Sequence, residues 1–320
     1  MNLQQLRSVC AIADHGLRIS QAARVLHRSQ PSITRQVKEL ETEVGFCVFN
    51  RNQSRILSIT PEGARLISAA RRMLREADNI RMLSHDLTHT MQGELTIATT
   101  HTHARHTLPA PIEQFMAAYP GVKVRMRQGT PVQCTELVAS GSADLAITSR
   151  VAEPPSSLTY IPCYRLSRSI IVPAGHPLLR RKKITLDHLA QYPLIGFDEG
   201  YSGNNVVHET FTRNGLEPNF VLSAMDAEVS KAYVAKDLGI AILASVAFDE
   251  DYDVALRRIP AGDLFEPVTL HIVLPRFAYM RQYMYELIEM YAPHLGRQVV
   301  QEVTASGASA AKAVEHVPLL

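Results

Sequence analysis

The chain has 320 residues, 46% of them hydrophobic and 20% charged, with a net charge of +2. That length holds two or three domains with buried cores, and no apolar run approaches the ~20 residues needed to cross a bilayer. The cysteines Cys10, Cys47, Cys134 and Cys163 form no C-x-x-C pair, which argues against a zinc finger and fits a reducing compartment.

The opening MNLQQLRSVC lacks the charged-then-apolar order of a secretory signal. A cytoplasmic location with no membrane partner is therefore expected. Charge is uneven: residues 1–60 hold eight Lys/Arg against four Asp/Glu, while the residues after 90 are slightly acidic. A basic head on an acidic body is the footprint of polyanion binding.

Leu3, Leu6, Val9, Cys10 and Ala13 share one helical face. Ser20 can cap a second helix, QAARVLHR. In SQPSITRQVKELETEVG, Ser29 suits an N-cap, Pro31 the first turn, and Gly45 the stop. Ile33, Val37 and Leu40 form the inner stripe of this third helix, and Ser32, Thr34, Arg35, Gln36 and Lys38 its polar face. Two helices with a short joint make a helix-turn-helix, whose second helix enters the major groove with Ser29, Gln30 and Pro31 at its leading end. FCVFNRNQSRILSIT then alternates about a polar tip as a wing, with Arg51 and Arg55 placed to touch phosphate.

AARVLHRSQPSITRQVKELETEVG, followed by VFNR and ITPEG, resembles the winged helix-turn-helix of LysR-type transcriptional regulators. The Ala-Ala, Ser-Gln-Pro, Leu-Glu, Gly, Phe-x-Arg and Thr-Pro-x-Gly signatures all stand at family spacing. Residues 1–60 are thus expected to be the DNA-binding domain. Residues 61–90 read as a linker helix, with Leu66, Met73, Ile80 and Leu87 recurring every seven residues. That seam predicts a dimer, as the resemblance also implies, and a dimer reads an interrupted inverted repeat in double-stranded DNA.

From GELTIATT onward strands alternate with helices, which predicts parallel sheets wrapped by helices in two α/β lobes with a cleft between them. Lobe I covers about 91–163 and 266–300, and lobe II about 164–265. Strand VTLHIVLP returns to the first lobe. The tail 301–320 is Ala/Ser-rich and expected to be poorly ordered.

Ligands of such sheets sit at the carboxyl ends of strands. Those ends carry Thr100 and Thr102, Gly129 and Thr130, Thr148 and Ser149, and a helix opens at Ser202. Hydroxyls and amides with few cations suit a small anion or a carboxylate-bearing zwitterion. TTHTHARHTLPAP also holds His101, His103 and His106, but no nearby Cys, Asp or Glu completes a metal set. No metal, cofactor or catalytic residue is expected, and GYSGNN does not match the G-x-S-x-G nucleophile pattern. A metal-dependent enzyme and a solute-binding protein built on the same two-lobed body remain the alternatives.

TTHTHARHTLP, QGTPVQ, ADLAI, IPCY, LAQYPL and YMYELIEMYAPHL are similar to the CysB branch of the LysR family, regulators of sulfur assimilation and cysteine or organosulfur genes. The resemblance implies a periplasmic-binding-protein-like α/β effector domain behind the winged head and the long linker helix. It implies four chains per assembly, RNA polymerase as a partner, and acetylserine, sulfate or a similar anion as effector. Thr100 and Thr102 match the branch's ligand-holding threonines, and Ser149 and Ser202 replace threonines. His103 stands where the branch has Gln, and Leu166 where it has Trp. A His at that place is expected to titrate near neutrality.

Overall fold

The computed structural model describes residues 1–52, 55–86, 92–197, 202–276, 280–306 and 316–320. It divides into two compact units, Met1–Met91 and Gln92–Leu320.

In the first unit, α1 (Leu3–Asp14) begins at Asn2, whose side chain accepts from the Gln4 and Gln5 amides while Gln5 returns a bond to the Asn2 amide. Next come α2 (Ile19–Val25) and α3 (Gln30–Val44), joined through His27 at φ 50°. The expected caps of α3 are present: Ser29 Oγ accepts from the Ser32 amide, Pro31 lies in the first turn, and Gly45 ends the helix at φ 81°. β1 (Phe49–Asn52) and β2 (Arg55–Ile59) pair antiparallel as the wing. α4 (Pro61–Asp86) starts at Thr60, which bonds the Cys47 carbonyl and the Gly63 amide. A Cβ on Gly63 would lie 2.1 Å from the Val48 carbonyl oxygen, so only glycine lets the wing pack on this turn.

Leu6, Val9, Ile12, Ile33, Val37, Leu40, Phe49 and Ile67 close a single core; burying each contributes roughly 1.5–3 kcal/mol. On α4, Ile67 and Ala70 are buried in it, while Met73 and Ile80 are 46% and 64% exposed. Leu87, the last residue of the seam, lies outside the described residues.

The second unit contains two sheets. The first lobe runs β3 (Gly93–Thr99), α5 (His101–His106), α6 (Pro109–Ala118), β4 (Val122–Gln128), α7 (Pro131–Ser140), β5 (Leu145–Ser149) and β6 (Leu158–Leu166). The chain crosses at Ser167 into β7 (Arg168–Pro173), α8 (Leu186–Ala190), β8 (Leu194–Phe197), α9 (Ser202–Arg213), β9 (Phe220–Ala224), α10 (Ala227–Val234), β10 (Ile240–Ala244) and β11 (Leu256–Pro260). It returns as β12 (Val268–Pro275), α11 (Gln282–Tyr291) and α12 (Arg297–Ser306).

Strand order is β4-β3-β5-β12-β6 in the first sheet and β11-β7-β10-β8-β9 in the second. Both sheets are mixed rather than parallel throughout. β3, β4 and β5 run parallel, as do β8, β9 and β10, but β12, β7 and β11 pair antiparallel. Two of these exceptions flank the lobe crossings, where a strand enters a sheet from the other lobe instead of through a βαβ turn.

Two parts of the tail depart from expectation, and residues 307–315 lie outside the described residues. Residues 301–306 belong to α12, whose Val300 and Val303 are buried in the first lobe's core. Residues 316–320 reach β6, where the Arg165 amide donates to the Pro318 carbonyl at 2.8 Å and the Leu320 amide to the Arg165 carbonyl at 2.9 Å. The Ala/Ser-rich composition conceals a valine pair at helical spacing that suffices to dock the helix.

Candidate functional site

In the head, the start of α3 supplies an exposed polar surface. Gln30, Pro31, Thr34, Arg35 and Lys38 line one concavity, and Gln30 and Thr34 line a second together with Arg18, Ser20, Ile56 and Leu57. Arg18 and Ser20, at the beginning of α2, are additions to this surface; Ser20, expected to cap α2, lies inside the helix, whose N-cap is Arg18. Ser32 is half-buried and its amide bonds Ser29, so both residues serve the cap. Arg35 pairs with Glu39 one turn on at 2.7 Å.

Two expected contacts are turned inward. Gln36 bonds Ser8 and Gln4 on α1, so it fastens α3 to α1. Arg51 meets Glu41 at 2.9 Å, and Glu41 also accepts from the Val48 and Phe49 amides. That carboxylate ties the wing's first strand to α3 and occupies the guanidinium expected to touch phosphate. Arg55 opens β2, and its side chain lies outside the described residues.

The second unit holds a cavity of about 70 Å³. Thr100, His101, Thr102, His103, Pro131, Ser149, Leu166 and Val268 wall it from the first lobe and the crossings, and Arg168, Met225, Asp226, Ala227 and Ala244 from the second. Five residues expected at the effector site (Thr100, Thr102, His103, Ser149 and Leu166) are therefore brought together. Thr130 instead caps α7, its Oγ1 accepting from the Gln133 amide at 3.2 Å while Gln133 Oε1 accepts from the Thr130 amide at 2.9 Å. Gly129 lies under that Gln133 side chain, where a Cβ would be 2.8 Å from Oε1. The next residue, Pro131, is the one that reaches the cavity.

Thr148 is also misplaced by the sequence reading. It is fully buried, its Oγ1 has no partner among the described residues, and it lies across from His271. Successive residues of a strand face opposite sides, so Ser149 and Thr148 cannot both line the cleft. Ser202 opens α9, and its side chain lies outside the described residues.

His103 is 4% exposed, and burial, followed by the neighbouring His106, pulls its pKa down to about 4. The ring is neutral at pH 7, which corrects the expectation of titration near neutrality. Its Nδ1 is 3.3 Å from Thr107 Oγ1, which in turn is 3.2 Å from the Tyr291 hydroxyl. His106 Nε2 meets Glu228 at 3.0 Å. His103 and His106 thus engage separate partners, the buried His101 Nδ1 has none among the described residues, and among those residues no three His, Cys, Asp or Glu side chains gather as a metal set.

The residue that sequence reasoning missed is Arg168, at the first position of β7. It is 4% exposed, and burial alone pulls its pKa from 12.5 down to about 10, leaving it cationic at pH 7. Its Nε has no acceptor among the described residues. Burying a charge without a partner costs several kcal/mol, and this charge faces a cavity whose other polar lining is Thr100, His101, Thr102, His103, Ser149 and Asp226, the last engaged as the cap of α10 through the Val229 amide. A guanidinium with unused donors fits an oxyanion or carboxylate.

Residues 3–64 match the model of the bacterial regulatory helix-turn-helix protein, lysR family, and residues 88–296 that of the LysR substrate binding domain. The chain belongs to the LysR family of transcriptional regulators. Over 302 residues it is 39% identical to the HTH-type transcriptional regulator CysB of Burkholderia cenocepacia, covering 94% of this chain and 96% of that protein. It is 37% identical to the regulator SsuR of the same organism, covering 92% and 96%. The crystal structure of the cofactor-binding domain of the Cbl transcriptional regulator superposes with a TM-score of 0.64 at 35% identity, covering 67% of this chain and 94% of that one. These relatives are named as regulators, and this chain is a DNA-binding regulator with an effector domain rather than an enzyme.

Proposed function

We propose that this LysR-family regulator controls sulfur-assimilation, cysteine or organosulfur genes from the cytoplasm, in response to a small anion held in the cleft of its two-lobed unit. It reads an interrupted inverted repeat through paired heads, joined along the exposed seam of α4 that carries Met73 and Ile80. The linker pair gives a dimer, and two dimers give the tetramer that contacts RNA polymerase. The relatives CysB, SsuR and Cbl support the branch assignment.

Arg168 carries the effector reading. Thr100, Thr102, Ser149 and the neutral His103 supply hydrogen bonds around it, and Arg168 supplies the counter-charge. A cavity of about 70 Å³ admits roughly five water-sized groups at ~10–15 Å³ each. Sulfate or thiosulfate matches that size, whereas acetylserine needs the lobes to part further. Ligand alters DNA binding only by favouring one of two arrangements of the body.

The test is calorimetry of the full-length protein with sulfate, thiosulfate and O-acetylserine, followed by mobility shifts on its own upstream DNA with and without the binder. Saturable binding of one of them, with a changed shift pattern, is expected. No heat from any of the three, with salt-sensitive DNA binding intact, would leave the regulator standing and remove the sulfur effector.

A further inference from the structure

The cavity is bounded by two helices that meet again beyond it. The leading end of α5, with Thr100 before it and His101, Thr102 and His103 in it, forms one wall, and Met225, Asp226 and Ala227 at the start of α10 form part of the other. One turn further along α5, Arg105 and His106 converge on Glu228, the residue of α10 that follows Ala227. A single oxygen, Glu228 Oε1, receives Lys231 Nζ at 2.9 Å, His106 Nε2 at 3.0 Å and Arg105 Nε at 3.3 Å. One carboxylate oxygen therefore gathers donors from both lobes.

The surroundings make this contact more than a surface ion pair. Lys231 is 3% exposed and also donates to the Ala247 carbonyl at 2.7 Å and to Asp253 Oδ2 at 2.8 Å. Asp253 is fixed in turn by the Asp249 amide at 2.9 Å. The His106 side chain is 10% exposed, whereas that of Arg105 is 51% exposed. Solvent screens the arginine arm, so its share is small, and the His106 arm does most of the joining. α5 also packs on the turn Ser245–Ala247, which follows Ala244 of the cavity wall. Any shift of α5 against α10 must change both the cavity and the Glu228 contact.

We propose that Glu228 is an inter-lobe latch: by holding His106 and Arg105 against α10 it sets the spacing of the cavity walls, and through it anion occupancy is coupled to lobe closure. Glu228 does not line the cavity, so it is a positioning residue. The coupling is reciprocal: a latch that favours the closed cavity tightens anion binding, and a bound anion strengthens the latch by the same factor. The proposal rests on the effector reading for its occupant, while the latch itself has a ligand-free signature.

Glu228→Ala is a usable variant because Lys231 keeps Asp253 and the Ala247 carbonyl and is not stranded. Hydrogen exchange of the full-length protein without ligand is the first measurement. The variant should exchange about tenfold faster at the Ala104 and Thr107 amides of α5 as well as at Val229 and Ser230 of α10, with α6 and α7 unchanged. Calorimetry with sulfate is the second, and Glu228→Ala should weaken binding about 3- to 10-fold. His106→Gln should do likewise, and the double variant should be no weaker than the worse single one, since both remove one interaction.

Faster exchange confined to α10, or additive losses of sulfate affinity, would overturn the latch. Wild-type protein that ignores sulfate while α5 still loosens in Glu228→Ala would keep the latch and remove sulfate as its occupant.

Discussion

Lys231 and Arg168 are two cations in the same lobe, buried to 3% and 4% exposure, and they have opposite surroundings. Lys231 donates to Glu228, Asp253 and the Ala247 carbonyl. Arg168 has no hydrogen bond or ion pair from its side chain among the described residues, and its Nε is an orphan. A satisfied buried cation is part of the architecture. An unsatisfied one costs several kcal/mol of desolvation at every moment the protein is empty, and a sequence keeps it only where something else supplies the missing charge. The contrast separates a side chain that holds the lobe together from one that waits for a ligand.

The largest effect should come from the satisfied partner. Lys231→Ala leaves Asp253, whose side chain is 10% exposed, without its cation, and breaking a buried pair costs about 3–5 kcal/mol. Urea unfolding of the effector unit in the full chain should show a loss of that size. Arg168→Met removes a cation that nothing balances, so unfolding should occur at equal or higher urea, by about 1–3 kcal/mol, while sulfate affinity drops about 10- to 100-fold, the worth of a charged hydrogen bond. If Arg168→Met instead destabilised the protein and bound sulfate normally, Arg168 would be a second Lys231 and the contrast would vanish.

A smaller version of the same contrast lies on β5. Ser149 faces the cavity, and Thr148 is buried on the other face with an orphan hydroxyl. Thr148→Val replaces that hydroxyl by a methyl of the same shape and should stabilise the protein by about 1 kcal/mol without changing sulfate binding. Ser149→Ala should weaken sulfate about 3- to 10-fold, at the neutral end of hydrogen-bond strengths. Equal effects of the two on binding would mean that the strand's pleat does not decide which side chain serves the ligand.

These pairs also mark how far the sequence could be read. The caps Ser29, Pro31 and Gly45, the alternation of strands and helices, and the threonines of the first strand end are local signals, and local chemistry set them. Thr148 shares a strand end with Ser149 in the sequence, but the pleat sends adjacent residues apart. Gln36 and Arg51 read as free polar groups because their partners on α1 and at Glu41 come from packing. Arg168 escaped notice inside the apolar run SRSIIVP, since no sequence shows that a charge lacks a partner. The Glu228 contact joins residues 122 positions apart, and only the fold brings them within reach.

His103 gives the smallest expected effect, and its sign follows from the burial of the ring. Its pKa near 4 lies below the unfolded value of 6.5, so the folded protein favours the neutral form. The stability gained by burying that neutral ring is full above about pH 6.5 and is lost as pH falls toward 4. Burial pushes the Tyr291 phenol well up, so its hydroxyl keeps its proton and can donate to Thr107, which can donate to His103 Nδ1. That assignment, made from the network, leaves the ring's hydrogen on Nε2. A bound anion favours the imidazolium, so affinity can rise only as pH falls. Between pH 7 and 8.5 sulfate binding should be flat, and His103→Gln should have the same flat profile with an affinity within about threefold, because an amide N–H replaces an imidazole N–H. A step near pH 6.5 in the wild type that is missing from the glutamine variant would mean that the ring is solvated and titrating. His103 would then belong with the charged groups of the cleft, and Arg168 would no longer be the one cation lining it among the described residues.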